Sequence, residues 1–222
     1  MSRRRDPAED RERLVEDLVR SGYIRSEPVR AAFRRVPREA FVSPRDRNRA
    51  YVDTPLPIPY GQTISAPSMI AIMLEEAALK EAERVLEVGA GSGYHAALLA
   101  CLVGAENVVT VERIPELAEW GRANLARAGH GAVRVVTGDG SLGFPDAAPY
   151  ACIFATAGAP RIPDAWGRQL APQGRIVAPI GSSRREQVLA VATRQADGSL
   201  DIRYATACAF VPLIGEDAWP SQ

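Results

Sequence analysis

The chain has 222 residues, of which 46% are hydrophobic and 24% charged, with 27 basic and 27 acidic side chains. That is enough chain for one sizeable core, and the balanced charge excludes a net electrostatic pull toward nucleic acid or an anionic membrane. Cys101, Cys152 and Cys208 are odd in number and far apart, and His95 and His130 are the only histidines, which excludes a disulfide framework and argues against a bound metal.

No apolar run approaches the ~20 residues of a spanning helix. The charged N-terminus lacks the apolar stretch of a signal peptide. A cytoplasmic protein acting as a monomer is expected, and the Arg3-Arg4-Arg5 run reads as a solvated terminus.

In chain order, Pro7 to Arg20 places Leu14, Val15, Leu18 and Val19 on one helical face. Ser26-Glu27-Pro28 opens a second helix, with Ser26 as its cap, and Pro37 stops it. Pro55, Pro57 and Pro59 make residues 51–60 an extended linker. Residues 1–60 are thus expected to form a helical cap with its linker. A core spanning 61–222 completes a single domain.

A helix over Ala66 to Leu79 is followed by alternating strands and helices. Strands are expected at 84–88, 107–112, 132–137, 150–155 and 174–179, and helices at 94–102, 115–128 and 163–170. This alternation predicts an α/β, doubly wound, mostly parallel sheet with helices on both faces. Segments 187–193 and 204–211, joined through Asp197-Gly198, predict a closing antiparallel hairpin.

The first strand of the alternation runs into Glu87-Val88-Gly89-Ala90-Gly91-Ser92-Gly93-Tyr94. Ligands bind beyond the carboxyl ends of parallel strands, and glycines there let backbone approach closely. The segment from Gly91 to Ala96 also satisfies a relaxed dinucleotide fingerprint. Glu87 before three alternating glycines (Gly89, Gly91, Gly93) favours S-adenosylmethionine instead. A pyrophosphate avoids a nearby carboxylate, whereas an ammonium and a sulfonium tolerate one. Glu112 ends the next strand, 19 residues after Gly93, where its carboxylate can accept from ribose hydroxyls. Asp139, between Gly138 and Gly140, can accept from the adenine amine, although Gly-Asp-Gly is also a common turn.

Several stretches resemble the protein-L-isoaspartate O-methyltransferase family across nearly the whole chain. They are Val36-Pro37-Arg38-Glu39-Ala40-Phe41-Val42, Gly61-Gln62-Thr63-Ile64-Ser65-Ala66-Pro67, the glycine loop, Val111-Glu112-Arg113-Ile114-Pro115-Glu116-Leu117, Gly138-Asp139-Gly140 and Phe210-Val211-Pro212-Leu213-Ile214-Gly215. The resemblance implies a Rossmann-like class I fold and S-adenosyl-L-methionine as cofactor, with S-adenosyl-L-homocysteine as product. The reaction it implies is methylation of the α-carboxylate of L-isoaspartyl residues in damaged proteins and peptides. The ester would then close to a succinimide and return in part to aspartate.

The resemblance further implies that Ser65 is the active-site serine, and that Thr63, Ile64 and Ser65 lie beside the sulfonium and the substrate carboxylate. Ser65 also reads as an N-cap for the helix that follows, and the two roles can coexist. With Glu87, Gly89, Gly91, Gly93, Glu112, Arg113, Asp139 and Gly140, these three residues form the expected cofactor set. Val211, Pro212, Leu213 and the loop after Thr156 are expected walls of the peptide groove, or plain packing. Two positions depart from the family pattern: Ser68 where a histidine is common, and Ala151 where an aspartate is common. The missing aspartate is expected to weaken a hydrogen bond supporting the active-site loop.

Overall fold

A computed structural model describes residues 6–184 and 186–220; the Arg3–Arg5 run lies outside them. Helix α1 (Pro7–Arg20) starts where the Asp6 carboxylate accepts from the Ala8 N–H at 2.9 Å. Helix α2 (Glu27–Arg35) follows. Ser26 occupies its cap position but caps nothing. Its hydroxyl donates to Glu75 at 3.0 Å, and the same carboxylate oxygen accepts from the N–H groups of Arg25 and Ser26. A partner distant in sequence has replaced the local cap.

Two short 3₁₀ turns, Arg38–Phe41 and Pro44–Arg49, lead into the proline-rich segment. Here the expected linker folds back on itself. Strand β1 (Leu56–Pro57) pairs antiparallel with β2 (Thr63–Ile64). Helix α3 (Pro67–Ala77) begins after Ala66, not Ser65, and stops at Ala78, whose φ of 46° is left-handed.

The alternating region folds as β3 (Val85–Val88), α4 (Tyr94–Val103), β4 (Val108–Glu112), α5 (Pro115–Arg127) and β5 (Arg134–Thr137). It continues with β6 (Tyr150–Ala155), α6 (Asp164–Gln169), β7 (Leu170–Ile180), β8 (Gln187–Arg194) and β9 (Leu200–Cys208). The seven strands β3–β9 form one sheet in the order β5-β4-β3-β6-β7-β8-β9. The first five are parallel; β8 runs antiparallel to β7, and β9 antiparallel to β8. The expected hairpin is present, but its second strand is displaced toward the N-terminus. Residues beyond Cys208 leave the sheet and run beside the end of β6, where Gly158 N–H donates to Val211 and Leu213 N–H donates back to Gly158, each at 2.8 Å.

Apolar side chains cover both faces of the sheet. On one face Val85, Phe154 and Val177 pack beneath α4 and the N-terminal helices in a continuous core. Phe33 and Phe41 meet the Tyr94 ring edge-on, seating the helical cap on α4. On the other face Leu86, Val88 and Ile153 pack with Trp166 of α6. Among the described residues no helix is long and apolar enough to cross a membrane.

The chain starts at β3, moves outward to β4 and β5, then returns to place β6 on the other side of β3. Connections diverge at that junction, which opens a crevice beyond the carboxyl ends of β3 and β6.

Candidate active site

That crevice is a cleft of about 650 Å³ including its open mouth. Val88, Gly89 and Gly91 form its floor, with Val111, Glu112, Arg113 and Ile114 on one side and Gly140 beyond. Thr156 and Ala157 come from the end of β6, Gln62 and Thr63 from the hairpin, and Val211 to Ile214 from the C-terminal segment.

The floor is glycine for steric reasons. Gly89, Gly91 and Gly93 have φ values of 99°, 51° and 86°, a region that L side chains rarely adopt. A Cβ at Gly93 would stand 2.9 Å from the Leu125 side chain and 3.0 Å from the Gly121 carbonyl. The loop is also tied down. Thr156 donates from its hydroxyl to the Gly89 carbonyl at 2.6 Å. Asn124 donates to the Ser92 carbonyl at 2.9 Å.

Glu112 lies at the end of β4, mostly buried. Its two oxygens accept from the N–H groups of Gly91 at 3.0 Å and Ile114 at 3.1 Å. These contacts leave lone pairs on a fixed carboxylate at the cleft wall. Arg113 lines the cleft with an exposed side chain.

Glu87 does not reach the cleft. It alternates with Leu86 and Val88, so its side chain enters the opposite face of the sheet. There it is fully buried, taking a hydrogen bond from the Thr110 hydroxyl and facing His95 Nδ1 at 2.7 Å. The expected cofactor contact of Glu87 is therefore replaced by support from beneath the loop. Gly93, the first-turn boundary of α4, likewise shapes the loop without lining the cleft.

The side chain of Asp139 is also engaged elsewhere. Oδ1 accepts from the Ser141 N–H at 2.9 Å and hydroxyl at 2.7 Å, and Oδ2 accepts from the Glu216 N–H at 2.7 Å. A short carboxylate bonds readily to backbone two residues on, and here it also fastens the C-terminal segment. The adenine contact expected of Asp139 is not what its carboxylate does in this geometry; Gly140 is the residue of this turn at the cleft.

In the hairpin, Thr63 faces the cleft, Ile64 is buried and Ser65 is half-buried. Ser65 is not the cap of α3. Its carbonyl accepts from Arg38 at 2.8 Å, and its hydroxyl has no hydrogen-bond partner among the described residues. Val211, Pro212 and Leu213 all line the cleft. Ser68 gives its backbone N–H to Asp53 at 2.9 Å. Ala151 lies at the start of β6, the end of the strand away from the cleft, so no loop-supporting hydrogen bond is lost there.

Sequence reasoning missed Gln62, Ile114, Leu117 and Ile214 as cleft residues, together with the loop-tying hydroxyl of Thr156. Ile114 and Leu117 were findable as an apolar pair at helical spacing directly after Glu112.

The cleft suits a nucleoside cofactor. Its floor admits ligand against bare backbone, and one wall presents a fixed carboxylate beside apolar Ile114 and Leu117. Comparison with known proteins decides which. The family model for protein-L-isoaspartate(D-aspartate) O-methyltransferase matches residues 9–218.

The chain belongs to that family. The protein-L-isoaspartate O-methyltransferase of Hyperthermus butylicus is 54% identical over 220 residues, covering 95% of this chain and 91% of the relative. That of Pyrococcus abyssi is 51% identical over 207 residues, covering 93% and 95%. Among solved structures, a Plasmodium falciparum chain described as a protein-L-isoaspartate O-methyltransferase in complex with S-adenosyl-L-homocysteine superposes with a TM-score of 0.81 at 26% identity, covering 92% of this chain and 98% of that one. A further protein-L-isoaspartate O-methyltransferase structure gives 0.82 at 33% identity, covering 94% and 67%. This member of the family is a class I methyltransferase that uses S-adenosylmethionine.

Proposed function

We propose that the enzyme methylates the free carboxylate of L-isoaspartyl residues in damaged proteins and peptides, with Ser65 holding that carboxylate at the cleft edge. The observation that carries this reading is what lines the cleft: Gly89, Gly91, Glu112 and Gly140 are joined there by Gln62, Thr63 and Val211 to Leu213. The latter come from the two most family-specific stretches of the chain.

S-adenosylmethionine, when bound, supplies a methyl group made electrophilic by its sulfonium. The glycine loop would admit the cofactor against bare backbone, and Glu112 would accept from its ribose hydroxyls. Arg113, Ile114 and Leu117 flank that end. Thr63 lines the cleft, and half-buried Ser65 follows it two residues on, just outside that lining. The Ser65 hydroxyl, without a partner among the described residues, is free to donate to a substrate carboxylate. A carboxylate ionised at neutral pH needs no general base, and charge is neutralised as the methyl moves. Catalysis therefore rests on alignment and exclusion of water.

Val211 and Pro212 are partly exposed at the cleft, which leaves room for a substrate whose neighbouring residues vary. The cleft is completed by the chain's own C-terminal segment, consistent with a monomer. The three cysteines are unbridged, consistent with the cytoplasm.

The test is transfer of labelled methyl to matched peptides differing only in isoaspartate or aspartate. Base-labile label is expected on the isoaspartyl peptide alone. Ser65→Ala should lower kcat/KM about 10- to 100-fold with S-adenosylhomocysteine affinity retained. Equal labelling of both peptides, or unchanged turnover in the variant, overturns the reading.

A further inference from the structure

Arg38 is fully buried and has no carboxylate partner in any ion pair among the described residues. Burial pushes its pKa down to about 10, so it remains a cation at neutral pH. Its Nε donates to the Ala50 carbonyl at 2.9 Å and its Nη2 to the Ser65 carbonyl at 2.8 Å. Its Nη1 is buried with no partner. The guanidinium lies over the ring of Tyr94, 5.0 Å from the centroid.

This arrangement is costly if Arg38 only fills space. An unpaired buried cation is expensive to desolvate, and an apolar side chain of similar volume packs as well or better. The contacts point to another use. Ser65 follows the cleft residue Thr63 by two positions, and Tyr94 is the residue directly after Gly93 of the cofactor loop. One rigid, planar group spans both. On the other side of the same turn, Asp53 accepts from the Ser68 N–H at 2.9 Å. The turn from Ser65 into α3 is thus held from both ends by side chains of the N-terminal segment.

We infer that Arg38 is a positioning residue for methyl transfer: by fixing the Ser65 peptide against the start of α4, it sets the placement of the Ser65 hydroxyl relative to the cofactor loop. The inference rests on the reading of Ser65 as the acceptor-binding serine. Arg38 touches neither substrate nor cofactor, and its effect passes through Ser65.

The experiment compares wild type, Arg38→Lys, Arg38→Met, Ser65→Ala and the Arg38→Met/Ser65→Ala double variant. For each, kcat/KM on an isoaspartyl peptide is measured per S-adenosylhomocysteine-binding site. Lysine keeps the charge but cannot bridge two carbonyls with one fork. It also serves if the methionine variant fails to fold. Arg38→Met should lower kcat/KM about 30-fold and Arg38→Lys about tenfold, because a displacement near 1 Å at the reacting groups has effects of this order. S-adenosylhomocysteine affinity should stay within about threefold. The double variant should be no worse than Ser65→Ala by more than about threefold, since both changes remove the same placement. A merely structural arginine lowers the melting temperature but leaves kcat/KM per binding site within threefold of wild type, and that result overturns the inference. So does a double variant whose losses multiply. If Ser65→Ala alone leaves turnover unchanged, the reading of Ser65 fails first, and the inference goes with it.

Discussion

Glu112 reaches back from the end of β4 to accept the Gly91 N–H at 3.0 Å, which joins the acidic wall of the cleft to its glycine floor. The second carboxylate oxygen takes the Ile114 N–H at 3.1 Å. Glu112 is thereby oriented before any ligand arrives. Glu112→Gln keeps the size but turns an N–H₂ group toward one of the two backbone donors. It also removes the charge that strengthens hydrogen bonds to hydroxyls. Cofactor affinity should fall about 10- to 100-fold, corresponding to ~1.4–2.7 kcal/mol. Calorimetric titration with S-adenosylhomocysteine checks this, and an unchanged Kd would show that the ribose is held elsewhere.

Thr156 supports the same floor from β6. Its hydroxyl donates to the carbonyls of Gly89 at 2.6 Å and Val88 at 3.3 Å. Thr156→Val preserves the shape but removes the donor, leaving the Gly89 carbonyl short of a partner. A loss of ~1 kcal/mol in stability is expected, with weaker cofactor binding as the loop loosens. Thr156→Ser should restore both. If the serine variant behaves like the valine one, methyl packing is what matters and the hydrogen bond is incidental.

The sheet and its cofactor end were legible because their signals are local. Alternating strands and helices pointed to a mostly parallel sheet, and glycines at 89, 91 and 93 announced a loop where backbone can approach a ligand closely. What was not legible depended on partners distant in sequence. Ser26 looked like a cap but is held by Glu75, 49 residues away. Ser65 looked like a cap but lies one position too early, because α3 starts after Ala66. Glu87 carried the acid of the glycine motif, yet strand alternation turns it under the loop toward His95. Arg38 carried no chemical signal of its own; only folding brings its guanidinium to the Ser65 carbonyl, 27 residues on.

His130 offers a test through pH. Its side chain is largely buried just beyond α5. Burial, then the nearby positive charge of Arg35, holds its pKa below the ordinary 6.5. The folded state therefore takes up this proton less readily than the unfolded state. The resulting stability is complete above pH 6.5 and is lost as pH falls below it toward the folded value. His130→Gln does not titrate. The difference in melting temperature between the two proteins should shift in favour of the variant between pH 7.5 and about 5. Parallel melting curves across that range would place the histidine in water in both states.

Asp139 separates two roles that its position after β5 allows. As an adenine partner it would govern cofactor binding. As a tether it would govern the C-terminal wall, and the contacts are those of a tether. Oδ2 accepts the Glu216 N–H at 2.7 Å, and Ser141, which donates to Oδ1, accepts the Asp217 N–H at 3.0 Å. Asp217 in turn pairs with Arg161, and Trp219 donates to the Gly158 carbonyl at 3.1 Å. This chain of bonds holds Val211 to Leu213 at the cleft. Asp139→Asn turns one oxygen into a donor, and whichever way the amide settles, one of the facing donors loses its acceptor. The wall should loosen, raising the KM for an isoaspartyl peptide about three- to tenfold, as expected for the loss of a charge-assisted bond of ~1 kcal/mol. S-adenosylhomocysteine affinity should change less than twofold. A rise in its Kd with peptide KM unmoved would return Asp139 to the adenine.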